Sequence, residues 1–238
     1  MTFLKRINFH TKRFRGEILY SSIILGILML LIAVAFPKGN DAIAGYVGIL
    51  SSAGLDALFA TFDLDAPGWL FWVSLMGSAY TYFVTAVAAI RIGSKLFPSN
   101  EDSALELITS SPKGARSYFL ENILSGIYGI FLIFLPSFII LAVYSLTQNA
   151  PDSISRLGVM FLFNGVVCLF FIALVSLVSI YKFTQGAGSK VGYIYLAFAF
   201  LIELTAGSLP DYSDLANLSV NSYLGPTTGL LSGEHRWE

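Results

Sequence analysis

Histidine and cysteine are almost missing from this chain, and charge is sparse. There are 2 histidines and 1 cysteine among 238 residues, and only 12% of the residues are charged. Each shortage excludes a class of function. A lone cysteine allows no intramolecular disulfide and no metal site built on thiolates. Cys168 lies within the apolar stretch LFNGVVCLFFIALVSL, where it reads as a small buried residue. His10 and His235 stand near opposite ends of the chain, which leaves no histidine pair for a zinc site or a catalytic dyad. No H-E-x-x-H or G-x-S-x-G string occurs. No catalytic, cofactor-binding or metal-ligating residue is therefore assigned, and catalysis by this chain alone is not expected. A net charge of −1 lacks the basic excess that nucleic acid demands, so no nucleic-acid partner is expected either. The string GAGSK at 186–190 lacks the G-x-x-x-x-G-K-[ST] spacing of a phosphate-binding loop and reads as a tight turn.

What the chain has is apolar length. Hydrophobic residues make up 55% and the mean hydropathy is +0.72, whereas soluble domains carry roughly 25% charged residues. About 20 consecutive apolar residues suffice to cross a bilayer. Five stretches meet that length, at 18–36, 69–90, 118–146, 157–181 and 191–209. The expected fold is therefore an all-α integral membrane protein with five transmembrane helices forming a single domain over 1–238. The first stretch is too long for a signal peptide, and no small-residue cleavage site precedes Pro37.

Lys and Arg set the orientation. Residues 1–17 carry Lys5, Arg6, Lys12, Arg13 and Arg15, residues 91–117 carry four more and residues 182–190 carry two, against Lys38, Arg156 and Arg236 on the other side. Eleven against three places the N-terminus in the cytoplasm and residue 238 outside. The first outer segment carries Asp41, Asp56, Asp63 and Asp65, in keeping with that side.

Local patterns refine each part. In residues 1–17, Phe3, Ile7 and Phe14 share one side of a helical wheel with the basic residues on the flanks, a pattern for an interfacial helix against anionic headgroups and membrane lipid. A plain basic flank is the other reading. Gly77, Thr81 and Thr85 recur at every fourth position of the second span, which lets helix backbones approach closely. Trp69, Trp72, Tyr80 and Tyr82 include candidate interface anchors. Pro136 removes a backbone donor inside the third span, so a kink or break is expected there. Glu203, inside the fifth span, is a candidate polar site of the pathway or bundle. Standing about two helical turns from Pro210, it is equally readable as a residue reaching the outer surface.

The charged island at 91–121 carries four basic and four acidic residues between two apolar stretches. Ser99 followed by Asp102 fits a capping-box variant, and Glu101 with Asp102 suits the positive start of a helix. That helix stops at Ser111-Pro112, because the residue before proline is pushed from helical geometry. Ala104, Leu105 and Ile108 share one face and Leu107 points elsewhere. Two apolar faces suit a helix wedged between its own bundle and a second protein. An amphipathic loop lying on the membrane is the alternative.

This order of parts resembles the permease subunit of type-2 ATP-binding-cassette (ABC) exporters. The likeness rests on the basic amphipathic elbow before the first span. It rests further on the segment Glu101-x-x-Ala104-Leu105-x-Leu107-Ile108-x-x-Ser111-Pro112 after the second, with Arg116 shortly behind. The resemblance implies that residues 99–112 form a coupling helix docked on a soluble ABC ATPase, with Glu101, Ala104, Leu105, Leu107, Ile108, Ser111, Pro112 and Arg116 at the contact. It implies two ATPase copies holding ATP and Mg, a second permease copy or homologue, and a prokaryotic plasma membrane. It also implies export of a substrate for which a hydrophobic or amphipathic cargo suits the 20 Phe and 12 Tyr. Two departures stand out. Ala104 occupies a position where the family favours glycine, and five spans stand where the family has six. Residues 210–238 resemble the external segment that precedes a sixth span; the expectation is a chain that stops short of it, the alternatives being a last helix supplied from elsewhere or an unusual end. A non-transporting scaffold of a membrane complex is the alternative function.

Overall fold

The computed structural model describes residues 10–36, 45, 68–96, 114–148, 153–182, 186–208 and 218–219. A short 3-10 turn at Lys12–Phe14 leads into α1 (Arg15–Val34). It is followed by α2 (Gly68–Leu96), α3 (Gly114–Thr147), α4 (Ser153–Lys182) and α5 (Ala187–Ser208). Five helices stand where five apolar stretches predicted them, and no strand occurs among the described residues. Segments Lys12–Val34, Leu120–Thr147 and Ser153–Ser179 are long and apolar enough to cross a membrane, and Ala187–Ile202 is a shorter apolar helix. These are the features of an integral membrane protein. Exposed apolar side chains along α1, from Leu19 and Tyr20 to Leu31 and Val34, fit a helix facing lipid rather than water.

The helices outrun their apolar cores. At 1.5 Å per residue, the 34 residues of α3 extend about 51 Å, against roughly 30 Å of hydrocarbon. α2 continues six residues beyond Ile90 through Arg91 and Lys95, since charge ends a hydropathy run but not a helix. Of the kink or break expected at Pro136, the break is absent, because α3 runs continuously through it.

Two compact units divide the chain, and every helix contributes a segment to each. The first comprises Met1–Ile24, Phe83–Pro136 and Gly165–Leu196. Its packing depends on glycine. A Cβ on Gly93 of α2 would stand 3.2 Å from the Ile172 backbone of α4, and one on Gly129 of α3 would stand 3.2 Å from Ile18 Cδ1 of α1. Gly188 and Gly192, four apart on α5, lie against α4, where added Cβ atoms would run into Val175 and, at Gly188, Ser179. The GAGSK string is thus only partly the turn expected of it. Gly186, at φ 79°, makes the turn, and Ala187 already begins α5, four residues before the predicted start. Gly188 serves the close helix approach that small residues permit in lipid. Phe14, Leu96 and Phe171 are fully buried in this unit.

The second unit comprises Leu25–Tyr82, Ser137–Asn164 and Ala197–Glu238. Gly77 of α2 faces Met29 of α1, with an added Cβ falling 3.6 Å from its sulfur, and Gly26 of α1 faces Ile140 of α3. Phe138 and Phe161 meet edge to face at 5.9 Å. Trp69 and Trp72 are buried here, which corrects their reading as interface anchors. The Trp72 Nε1–H donates to the Ile32 carbonyl at 2.9 Å, and Trp69 packs between Phe36 and Tyr144. The last turn of a helix leaves carbonyls without intrahelical donors, and an indole supplied by a neighbour satisfies one of them. Of the four aromatics, Tyr82 is also buried and Tyr80 alone is exposed.

The small-residue stripe of α2 packs as expected. Gly77, Thr81, Thr85 and Ala89 are all buried, and Thr81 Oγ1 donates to the Gly77 carbonyl at 2.7 Å. Bonding four residues back satisfies the hydroxyl without water. Asn164 does the same, its Nδ2 donating to the Met160 carbonyl at 3.0 Å. Cys168 is fully buried, with its thiol at the Thr85 hydroxyl.

Candidate functional site

Polar interactions in the first unit gather at the helix ends that flank residues 97–113. Glu17 sits in the first turn of α1, where the N-terminal dipole favours a carboxylate. Arg91 and Lys95 lie four apart on the final turns of α2, so one helix face presents both to the same acceptor. Lys95 Nζ reaches Glu17 Oε1 at 3.0 Å, and Arg91 Nη1 reaches Glu17 Oε2 at 3.2 Å. Arg91 Nε also donates to the Tyr193 hydroxyl of α5 at 3.4 Å. One carboxylate therefore ties α1 to α2, and Arg91 extends the tie to α5.

A second cluster joins the lead-in to α3. His10 Nε2 stands 3.7 Å from Glu121 Oε2, its ring meets Tyr118 edge to face at 5.8 Å, and Arg13 Nη1 donates to the Tyr118 hydroxyl at 3.4 Å. Burial holds the His10 pKa below its usual 6.5, helped by the nearby Arg13 charge and opposed by Glu121. Next to Glu121, Asn122 is fully buried, and neither its Oδ1 nor its Nδ2 has a hydrogen-bond partner. Its backbone carbonyl accepts from Ser125 Oγ at 2.7 Å.

These groups can hold helices together and present cations. Among the described residues no three His, Cys, Asp or Glu side chains gather closely enough to hold a metal ion.

The residues marked from sequence fall into three sets. Lys12, Arg13 and Arg15 are exposed at the start of α1, while the fully buried Phe14 turns inward between them. Arg116 lies in the first turn of α3 and Glu203 in α5, and both side chains lie outside the described residues. Lys5, Arg6, Glu101, Ala104, Leu105, Leu107, Ile108, Ser111 and Pro112 lie outside the described residues altogether. No sequence pattern announces the Glu17–Arg91–Lys95–Tyr193 cluster. Its sequence signal is slight: one carboxylate among five basic residues before the first span, and an i,i+4 cation pair after the second. Their pairing spans 74 and 78 residues, which no local pattern reveals. No family model, no curated protein and no solved structure matches this chain.

Proposed function

We propose that this protein is the membrane-spanning permease subunit of an ABC exporter, with five spans, a cytoplasmic N-terminus and residue 238 outside, in a prokaryotic plasma membrane. The observation that carries the reading is the segment 97–113 and its place in the chain. It joins the end of α2 to the start of α3, and it holds the acidic, apolar and Ser-Pro pattern of a coupling helix. The helices beside it are tied to the start of the chain, α2 through Lys95 to Glu17 and α3 through the Tyr118 hydroxyl to Arg13. A force applied to that segment by a docked subunit would meet fastened helices rather than frayed ends.

In this reading, ATP and Mg bind two copies of a separate soluble ATPase, whose approach and separation move the segments around Glu101, Leu105, Leu107 and Arg116. Two permease copies, identical or related, shift between inward-facing and outward-facing populations in response. Hydrophobic or amphipathic cargo is in keeping with the 20 Phe and 12 Tyr of the chain.

The test is purification of the full-length tagged chain from its native membranes, with ATP hydrolysis assayed in the eluate. A nucleotide-hydrolysing subunit should co-elute, and replacing Glu101, Leu107 and Arg116 together should abolish its retention. An eluate without ATPase activity, or retention unaffected by the triple replacement, would overturn the assignment and favour a scaffold.

A further inference from the structure

The cluster at the end of α2 has more cation than its carboxylate can neutralise. Glu17 is a single negative charge set between Arg91 and Lys95, so the trio carries a net +1. A guanidinium has five N–H donors and an ammonium three. Arg91 uses one on Glu17 and one on Tyr193, and Lys95 uses one on Glu17. The cations are not sealed in by these bonds. Side-chain exposure is 54% for Arg91 and 48% for Lys95, against 17% for Glu17, so the positive groups face outward and the carboxylate lies beneath them. Lys12 and Arg15, exposed at the same end of α1, add to the positive field.

Immediately along the helices from these cations the surface becomes apolar. On α1, Tyr20 and Ile24 follow Glu17 on the same face and are exposed. On α2, Val87 and Val84 precede Arg91 on its face and are half-buried. On α5, Ile194 beside Tyr193 is exposed. A phosphate-sized demand for negative charge thus sits at the edge of an apolar surface, the pattern of a phospholipid at the boundary of headgroup and chain.

We propose that Arg91, Lys95 and Tyr193 form a binding site for the phosphate of an anionic phospholipid, whose acyl chains lie along the exposed apolar faces of α1 and α5. A headgroup of net charge −1 completes the neutralisation of the trio. A choline headgroup, whose quaternary ammonium cancels its own phosphate, does not. The site is independent of any cargo, and it holds whether or not the chain is a permease.

The experiment uses the full-length chain in phosphatidylcholine vesicles containing traces of chain-spin-labelled phosphatidylglycerol or phosphatidylcholine. The motionally restricted spin-label fraction reports association with the protein. Labelled phosphatidylglycerol is expected to be preferred, and the R91Q/K95Q double variant should lower that preference by about fivefold. Glu17→Gln should raise it, because that change frees both cations, and a cluster serving only to hold helices together would lose the preference instead. Inorganic phosphate added in excess should leave the restricted fraction in place, since a free ion lacks the chains. Equal association of the two lipids in the unaltered chain, an unchanged preference in R91Q/K95Q, a fall in Glu17→Gln, or displacement by inorganic phosphate would each overturn the assignment.

Discussion

Gly93 of α2 and Ile172 of α4 are backbone neighbours: a Cβ on the glycine would stand 3.2 Å from both the Cα and the carbonyl oxygen of the isoleucine. Ser176 exploits that approach, its hydroxyl donating to the Gly93 carbonyl at 3.4 Å. Gly93→Ala should therefore destabilise the bundle by about 1–3 kcal/mol, the usual scale for overpacking. Gly188→Ala, which would overlap the Val175 carbonyl and Ser179 hydroxyl, should reach the upper end of that range. Gly16→Ala, with nothing within 4 Å, should be neutral or stabilising by up to about 1 kcal/mol. Unfolding of the three variants in one detergent checks the order.

Trp72→Phe keeps the ring but removes the donor to the Ile32 carbonyl. A loss of about 1–2 kcal/mol is expected. The same variant should lose the indole fluorescence of a buried site, with Trp69 and Trp237 left as emitters.

Asn122 gives the opposite sign. Its carboxamide is buried without a hydrogen-bond partner, and a buried unsatisfied polar group costs about 1–3 kcal/mol. Asn122→Leu, close in volume, should leave stability unchanged or raise it by about 1 kcal/mol. A marked loss of thermal stability would mean that the amide serves a purpose beyond packing.

Glu17 with Arg91 and Glu17 with Lys95 can be measured by double-mutant cycles. Because both cations are half-exposed, each coupling should be modest, about 0.2–1 kcal/mol. Raising the salt concentration should weaken both.

His10 predicts a pH dependence. With the folded-state pKa held below 6.5, the unfolded chain binds more protons in the interval beneath 6.5. The contribution of His10 to stability is therefore fully present above pH 6.5 and is lost as pH falls through the lowered value. Chemical unfolding at stepped pH should show this slope in the unaltered chain and a flatter one in His10→Gln. Arg13, Tyr118 and Glu121 are among the groups that face the ring.

Sequence pattern carried the five helices because apolar runs of bilayer length admit few other structures. It carried less of what happens at their ends. Arg91 and Lys95 looked like the far edge of a loop, yet they belong to α2, since helical hydrogen bonding continues where hydropathy stops. Trp69 and Trp72 had the composition of interface anchors, but their partners, Phe36, Tyr144 and the Ile32 carbonyl, come from other segments of the chain. In sequence Gly188 belongs with the turn it adjoins, because nothing local marks a glycine that another helix will press against. The capped, Ser-Pro-terminated pattern at 99–112 lies outside the described residues.

The two-point attachment of Glu17 has a mechanical consequence. A single ion pair is a swivel: either helix can turn about the contact while keeping its length. Lys95 meets Oε1 and Arg91 meets Oε2 from positions about one helical turn apart along α2, so α2 cannot swing its crossing angle with α1 without lengthening one of the two contacts. Each contact is weak, but the two together make the angle between α1 and α2 stiffer than one ion pair would.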